Sequence, residues 1–110
     1  LMIGEGQDRT TLEAAIAEAG LEQRLFITGF CQDMATVYAD LDFSVLLTDY
    51  EGCPNAILES YATGIPVLAS DICGVSEIVI HGETGFLAQN NDIASASTQL
   101  ADLLRKPEKI

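Results

Sequence analysis

The sequence predicts an open, doubly wound α/β sheet, and three observations carry that prediction. Short apolar runs of strand length alternate with segments of helical period along the whole chain. The run Phe43-Ser-Val-Leu-Leu47 is nearly all apolar, as a strand covered on both faces must be. Turn residues separate the segments, so strands and helices succeed one another as parallel βαβ units.

The elements follow in order. Leu1 to Ile3 opens as a strand, and Thr10 to Ala19 as a helix with Leu12, Ile16 and Ala19 on one face, stopped by Gly20. A strand at Leu25 to Thr28 leads to a short helix, Met34 to Ala39, with Asp33 as its N-cap. After the strand Phe43 to Leu47, a helix begins at Pro54, where proline is tolerated at the first position, and ends at Ala62 before Gly64. Strands at Pro66 to Ala69 and Gly85 to Ala88 precede a last helix, Ile93 to Leu104, capped by Asp92 and followed by Pro107. Leu100, Leu103 and Leu104 of that helix read as core packing. Gly82 and Gly85 read as turn glycines with positive φ. Ligands of such sheets bind beyond the carboxyl ends of the strands, which directs attention to residues 4–7, 29–32, 48–55 and 70–77.

Composition narrows the function. With 110 residues and no internal boundary the chain reads as one domain or part of one. A hydrophobic fraction of 48% excludes a disordered chain despite the net charge of −12. Seventeen acidic against five basic residues argue against nucleic acid and anionic membrane surfaces, since no basic cluster exists beyond Arg105, Lys106 and Lys109. No apolar run approaches the roughly 20 residues of a membrane span, and a soluble cytosolic chain is expected. Cys31, Cys53 and Cys73 form no CxxC pair and His81 is the lone histidine, so neither a disulfide framework nor a zinc site is indicated. The cysteines read as free thiols packed inside as small apolar side chains. His81 reads as a turn residue.

Chemistry concentrates in Leu46-Leu-Thr-Asp-Tyr-Glu-Gly-Cys-Pro-Asn-Ala-Ile-Leu-Glu59, which runs from a buried strand through a turn into a helix. The N–H groups of Asn55, Ala56 and Ile57 are expected to be free at the helix N-terminus, where the helix dipole favours an anion such as phosphate. Gly52 lets the turn bend and a ligand approach the backbone. Glu59, four residues after Asn55, shares its helical face, and its carboxylate can accept two hydrogen bonds from a vicinal diol such as ribose. Glu51 in the turn is free to reach a second hydroxylated group.

These residues resemble the E-x7-E segment of retaining glycosyltransferases of the GT-B fold, specifically the large group called family 4, with Glu51 and Glu59 as the two glutamates. Spacing alone is weak, because Glu5 and Glu13 repeat it. The resemblance continues along most of the chain, however. Gly4-Glu-Gly-Gln-Asp8 resembles the family's GxG turn, Leu25-Phe-Ile-Thr-Gly-Phe30 its F-x-G strand end, and Tyr38-Ala-Asp-Leu-Asp42 its helix end. Gly64-Ile-Pro-Val-Leu-Ala-Ser70, Gly74-Val-Ser-Glu77 and His81-Gly-Glu-Thr-Gly-Phe-Leu87 match further segments.

The resemblance implies a Rossmann-like C-terminal donor domain over residues 1–110, lacking its first strand and helix, and a nucleotide-diphosphate sugar (UDP-, GDP- or ADP-linked) as ligand. It implies that Glu51 is catalytic, touching hydroxyls of the transferred hexose. Glu59 holds the ribose diol, Asn55 to Ile57 take the diphosphate or sugar oxygens, and Phe30 and Cys31 pack on the base. Gly4, Gly6 and Gly52 take ligand roles. No metal and no cofactor are expected, because helix N–H groups and basic side chains stabilise the leaving diphosphate. An Arg and a Lys serving this purpose are expected to precede Leu1, with the central strand of the family's 3-2-1-4-5-6 sheet. The fragment is therefore expected to be inactive alone, to need an N-terminal GT-B domain, and either to dimerise through exposed sheet edges or to be marginally stable. The full-length enzyme is expected in the cytoplasm or peripherally at the inner face of the membrane.

Two residues depart from the family pattern: Cys53 replaces an aromatic or aliphatic residue, and Asp49 a small one, adding negative charge near a dianion. A glycan phosphorylase or a sugar-nucleotide epimerase of the same fold, and a non-catalytic interaction module, are the competing readings. Dinucleotide binding is disfavoured, since Gly4-Glu-Gly lacks the third glycine. Asp49, Asp71 and Glu77 are candidates for supporting contacts, against plain solvated carboxylates.

Overall fold

The computed structural model describes residues 1–106 and 108; Pro107 and Lys109, named above, lie outside the described residues. Element order is β1 (Met2–Ile3), α1 (Arg9–Glu18), β2 (Ile27–Gly29), α2 (Met34–Ala39), β3 (Ser44–Leu46), α3 (Asn55–Ala62), β4 (Val67–Asp71), β5 (Gly85–Gln89) and α4 (Ile93–Arg105). The architecture is α/β with parallel strand pairing throughout, as expected. The sheet is not one continuous surface: β1 pairs with β2, and β3, β4 and β5 form a second sheet in that order. The chain divides accordingly into two compact units, Leu1–Met34 and a second beginning at Ala35.

In the first unit Met2 lies opposite Ile27 and Ile3 opposite Gly29. Helix α1 ends where Gly20 adopts φ +64, with its N–H on Ala17 O and the Leu21 N–H on Ile16 O, the pairing that satisfies the last carbonyls of a helix. Its apolar face is less covered than the periodicity predicts. No α1 residue is buried, Ile16 is half-buried, and Leu12 is exposed. Two strands of two and three residues offer too little surface to cover a ten-residue helix.

The second unit holds the core. β4 is buried over Val67 to Ser70 because it has a strand on each side and packing on both faces. Strand alternation sends Val67 and Ala69 to one face, packed with Ile57, Val75 and Val79, and Leu68 to the other, packed with Ala88 and Leu103. Helix α3 closes like α1, with the Gly64 N–H on Tyr61 O and the Ile65 N–H on Ser60 O. Helix α4 starts as its sequence predicts: the Asp92 side chain accepts from the Ser95 N–H at 2.9 Å.

Burial departs from the sequence reading at identifiable places. Val45 and Leu47 are exposed, while the alternate residue Leu46 packs against the core cluster of Ile57 and Val67 on the other face. Leu104 is exposed, while Leu103 is buried and Leu100 packs beside it, so the α4 stripe is narrower than expected. Gly82 has positive φ, but Gly85 does not; it opens β5, and a Cβ there would lie 2.6 Å from Val67 O, so it is small to let two strands meet rather than to turn the chain. The cysteines are not core residues: Cys53 and Cys73 are exposed and Cys31 is half-buried, all three as free thiols. They sit on loops outside the regular elements. His81 is fixed in its turn, accepting the Leu87 N–H at Nδ1 (2.9 Å) with its ring edge-on to Phe86. Among the described residues no helix is long and apolar enough to cross a membrane.

Candidate functional site

The loop between β3 and α3 is held at both ends. Where β3 ends, the Thr48 N–H donates to the buried Ser70 hydroxyl at 2.9 Å, and the Thr48 hydroxyl donates to Tyr50 O at 3.1 Å. Further along, Gly74 abuts the loop so closely that a Cβ would lie 2.5 Å from Glu51 O and 2.9 Å from Gly52 O. The segment carrying Glu51 is thus clamped between the ends of β4 and the turn after it.

At the far end of the loop, buried Pro54 is the N-cap of α3 rather than its first helical residue, with φ −77 and ψ 95. No side chain caps the helix. The Ile57 N–H is not free as expected, since it donates to Pro54 O at 3.0 Å, and Leu58 N–H follows at 3.4 Å. The short reach from the third helical residue back to the N-cap carbonyl closes a tight first turn and uses that donor. The amides of Asn55 and Ala56 precede any carbonyl of their own helix that could accept them, and these two are left for an anion. Asn55 is exposed and Ala56 half-buried.

Glu51 and Gly52 line a cleft of about 250 Å³ with Asp49, Tyr50, Ile72, Cys73, Gly74 and Glu77. Glu77 accepts from the Cys73 thiol at 3.6 Å, so the second loop joins this cleft. Tyr50 is almost fully exposed and Glu51 half-buried. Nothing among the described residues lies within 4 Å of a Cβ on Gly52, which leaves that side of its backbone open to approach while its carbonyl faces Gly74. A cavity of about 460 Å³ between Tyr61, Pro66, Thr84 and Phe86 lies at the amino ends of β4 and β5 and is remote from this chemistry.

Glu59 is exposed on α3, one turn beyond Asn55. Beneath it lies a group that sequence reasoning missed. The Tyr38 hydroxyl donates to Ala56 O at 3.2 Å, the Ser60 hydroxyl donates to the same carbonyl at 2.8 Å, and Ser44 Oγ is 2.7 Å from Ser60 Oγ. Tyr38 and Ser60 are buried. Burial, and next to it the charge of Glu59, push the Tyr38 phenol above its ordinary pKa. The signal in the sequence was Ser44, one hydroxyl inside an otherwise apolar strand, where a buried polar group must find a partner.

The structure therefore brings Glu51, Gly52, Asn55, Ala56, Ile57 and Glu59 into the second unit, around one strand–loop–helix junction. Gly4, Gly6, Phe30 and Cys31 belong to the first unit, at the carboxyl ends of β1 and β2. There the Gly4 N–H donates to Gly29 O at 2.9 Å, and Phe30 is exposed. The intervening turn is braced by Arg9, whose guanidinium bonds Glu13 at 2.9 Å and Glu5 at 2.5 Å; the bond to Glu13 and the charge of Glu5 raise its pKa further. No group of three or more His, Cys, Asp or Glu side chains is placed to hold a metal ion among the described residues.

The family model of the group 1 glycosyl transferases matches residues 1–110. N-acetyl-alpha-D-glucosaminyl L-malate synthase of Bacillus anthracis is 28% identical over 108 residues, covering 98% of this chain and 28% of that protein. The UDP-Gal:alpha-D-GlcNAc-diphosphoundecaprenol alpha-1,3-galactosyltransferase of Escherichia coli is 33% identical over 96 residues, covering 86% of the chain and 25% of that protein. Among solved structures, Anabaena HepE in complex with UDP-glucose superposes with a TM-score of 0.80 at 25% identity, covering 97% of this chain and 31% of that one. The chain thus spans under a third of the length of these relatives. With the whole chain matched by the family model and its fold shared with HepE, it belongs to the group 1 glycosyl transferases.

Proposed function

We propose that this chain is the C-terminal donor-binding domain of a retaining family 4 glycosyltransferase that transfers a hexosyl group from a nucleoside diphosphate sugar. The observation that carries the reading is the junction of β3 and α3, where open amides at Asn55 and Ala56 lie between Glu51 in its cleft and Glu59 on the helix. Amides and dipole take the diphosphate, whose charge grows as the glycosidic bond breaks. Glu59 accepts the ribose diol, and Glu51 takes hydroxyls of the hexose. The acceptor hydroxyl enters on the face from which the diphosphate leaves, so anomeric configuration is kept. Gly4, Gly6, Phe30 and Cys31, all in the first unit, keep the ligand roles that the family resemblance implies for them.

Two comparisons support a nucleotide-sugar ligand: HepE was solved with UDP-glucose, and the E. coli relative is named for UDP-Gal. Acceptor contacts, and the cations that neutralise the diphosphate, are assigned to the rest of the full-length protein. The open edges of β1 and β3 take strands from outside this chain, or from a second copy where none is supplied. The cytoplasm, or the inner membrane face for a lipid-linked acceptor like that named for the E. coli relative, is the proposed location.

The test is turnover by the full-length protein with UDP-, GDP- and ADP-hexoses, reading the anomeric configuration of the product by NMR. Release of one nucleoside diphosphate with retained configuration is expected. Sugar release that needs inorganic phosphate and no nucleotide sugar would identify a phosphorylase, and epimerised donor without transfer an epimerase. A partner complex that survives loss of both Glu51 and Glu59 and ignores nucleotide would identify an interaction module.

A further inference from the structure

The cleft that holds Glu51 carries charge of one sign. Asp49, Glu51 and Glu77 line it, and among the described residues no lysine, arginine or histidine does. The imbalance extends through the second unit, since no lysine or arginine stands between Ala35 and Leu104 while aspartate and glutamate recur throughout. His81, the one histidine, accepts the Leu87 N–H at Nδ1, so that nitrogen carries no proton and the ring is neutral. An adjoining cleft of about 220 Å³, at the carboxyl ends of β3 and β4, shares Asp49 and adds Asp92, its other polar lining groups being hydroxyls and amides. Asp49 thus stands exposed at the boundary of two clefts without a cation. Its backbone is pinned there from both sides, by the Thr48 N–H on Ser70 Oγ at 2.9 Å and the Thr48 hydroxyl on Tyr50 O at 3.1 Å.

We propose that this cleft selects a donor sugar without negative charge, a neutral hexose over the corresponding uronic acid, and that Asp49 is a specificity-determining residue for that choice. Hydroxyls of a neutral sugar donate to carboxylates, and each carboxylate has acceptor capacity for more than one of them. A carboxylate on the sugar is an acceptor only, so it brings no proton to Asp49, Glu51 or Glu77 and meets three like charges instead. A cleft lined by one sign of charge focuses the field inside it, which strengthens the rejection. Glu51 is needed for the sugar hydroxyls, whereas Asp49 at the cleft boundary supplies charge that an isosteric amide can remove. The inference deepens the proposed function and rests on its assignment of Glu51 to the transferred sugar.

The test measures the affinity of the full-length protein for UDP, GDP and ADP and for matched donor pairs: UDP-glucose with UDP-glucuronate, UDP-galactose with UDP-galacturonate, GDP-mannose with GDP-mannuronate, and ADP-glucose with ADP-glucuronate. Wild type, Asp49→Asn and Glu83→Gln are compared, and thermal unfolding checks that each is folded. Glu83→Gln removes the same charge beside the cavity at the amino ends of β4 and β5. For the pair that binds, the neutral sugar is expected to bind about tenfold tighter or more at low salt. Asp49→Asn should narrow that ratio about threefold or more, and so should salt at about 0.5 M, which screens exposed charges, while Glu83→Gln leaves the ratio as it is. A uronate that binds as tightly as its neutral partner, a ratio indifferent to salt, or one moved equally by both variants or by neither would overturn the inference and leave the donor site standing. If none of the diphosphates or their sugars binds, the donor reading itself fails and the selectivity with it.

Discussion

Alanine at Gly74 should destabilise the protein by about 3 kcal/mol and abolish donor turnover, the largest effect expected of a single methyl group in this chain. Two costs combine there. The backbone at φ +86 disfavours any residue with a Cβ, and that Cβ would meet Glu51 O at 2.5 Å and Gly52 O at 2.9 Å, both main-chain atoms without rotamers to escape into. The loop can yield only by moving the segment that carries Glu51, so stability and activity fall together. Gly64 supplies the comparison, since it has a similar φ of +80 but open space around its Cβ. Gly64→Ala should therefore cost only the backbone term, about 1–2 kcal/mol, and leave turnover intact. Denaturant midpoints and donor turnover of the two variants check this; equal behaviour would mean that the close approach at Gly74 does not hold the loop.

Removing the Glu59 carboxylate has the opposite profile. Glu59→Ala should weaken nucleotide binding about 100-fold or more, because two hydrogen bonds to a charged acceptor are lost at about 1.5 kcal/mol or more each. Folding stability should change by less than about 0.5 kcal/mol, since the side chain is exposed. Titration calorimetry with the nucleoside diphosphate, beside a thermal melt, separates the two quantities. An unchanged affinity would remove Glu59 from the site.

Much of this was legible because local chemistry decides it. The entry into α3 is written in Gly52 and Pro54, its exit in Gly64, and the start of α4 in Asp92, each acting through its own backbone or its nearest amides. The five strand positions followed from apolar runs, with ends displaced by a residue or two. What depends on non-local partners was not legible. Whether another element covers the face that bears Val45 and Leu47 decides their burial, and no periodicity within the strand reports it. Gly85 looks like a turn glycine until Val67 O is placed against it. Ile57 was expected to offer a free amide, but a tight first turn spends it on Pro54 O, a difference of one hydrogen bond that spacing does not encode. The hydroxyl group of Tyr38, Ser44 and Ser60 comes from three separate elements, and only their packing brings the oxygens together.

The central claim is that a nucleoside diphosphate sugar binds at the junction of β3 and α3. Its most direct test is amide hydrogen exchange of the full-length protein, with and without the nucleoside diphosphate that it binds, read over Thr48 to Ser60. Exchange is expected to slow at Asn55 and Ala56, whose N–H groups gain an acceptor, with little change in α4. Saturating nucleotide that leaves Asn55 and Ala56 exchanging as in the free protein would contradict it.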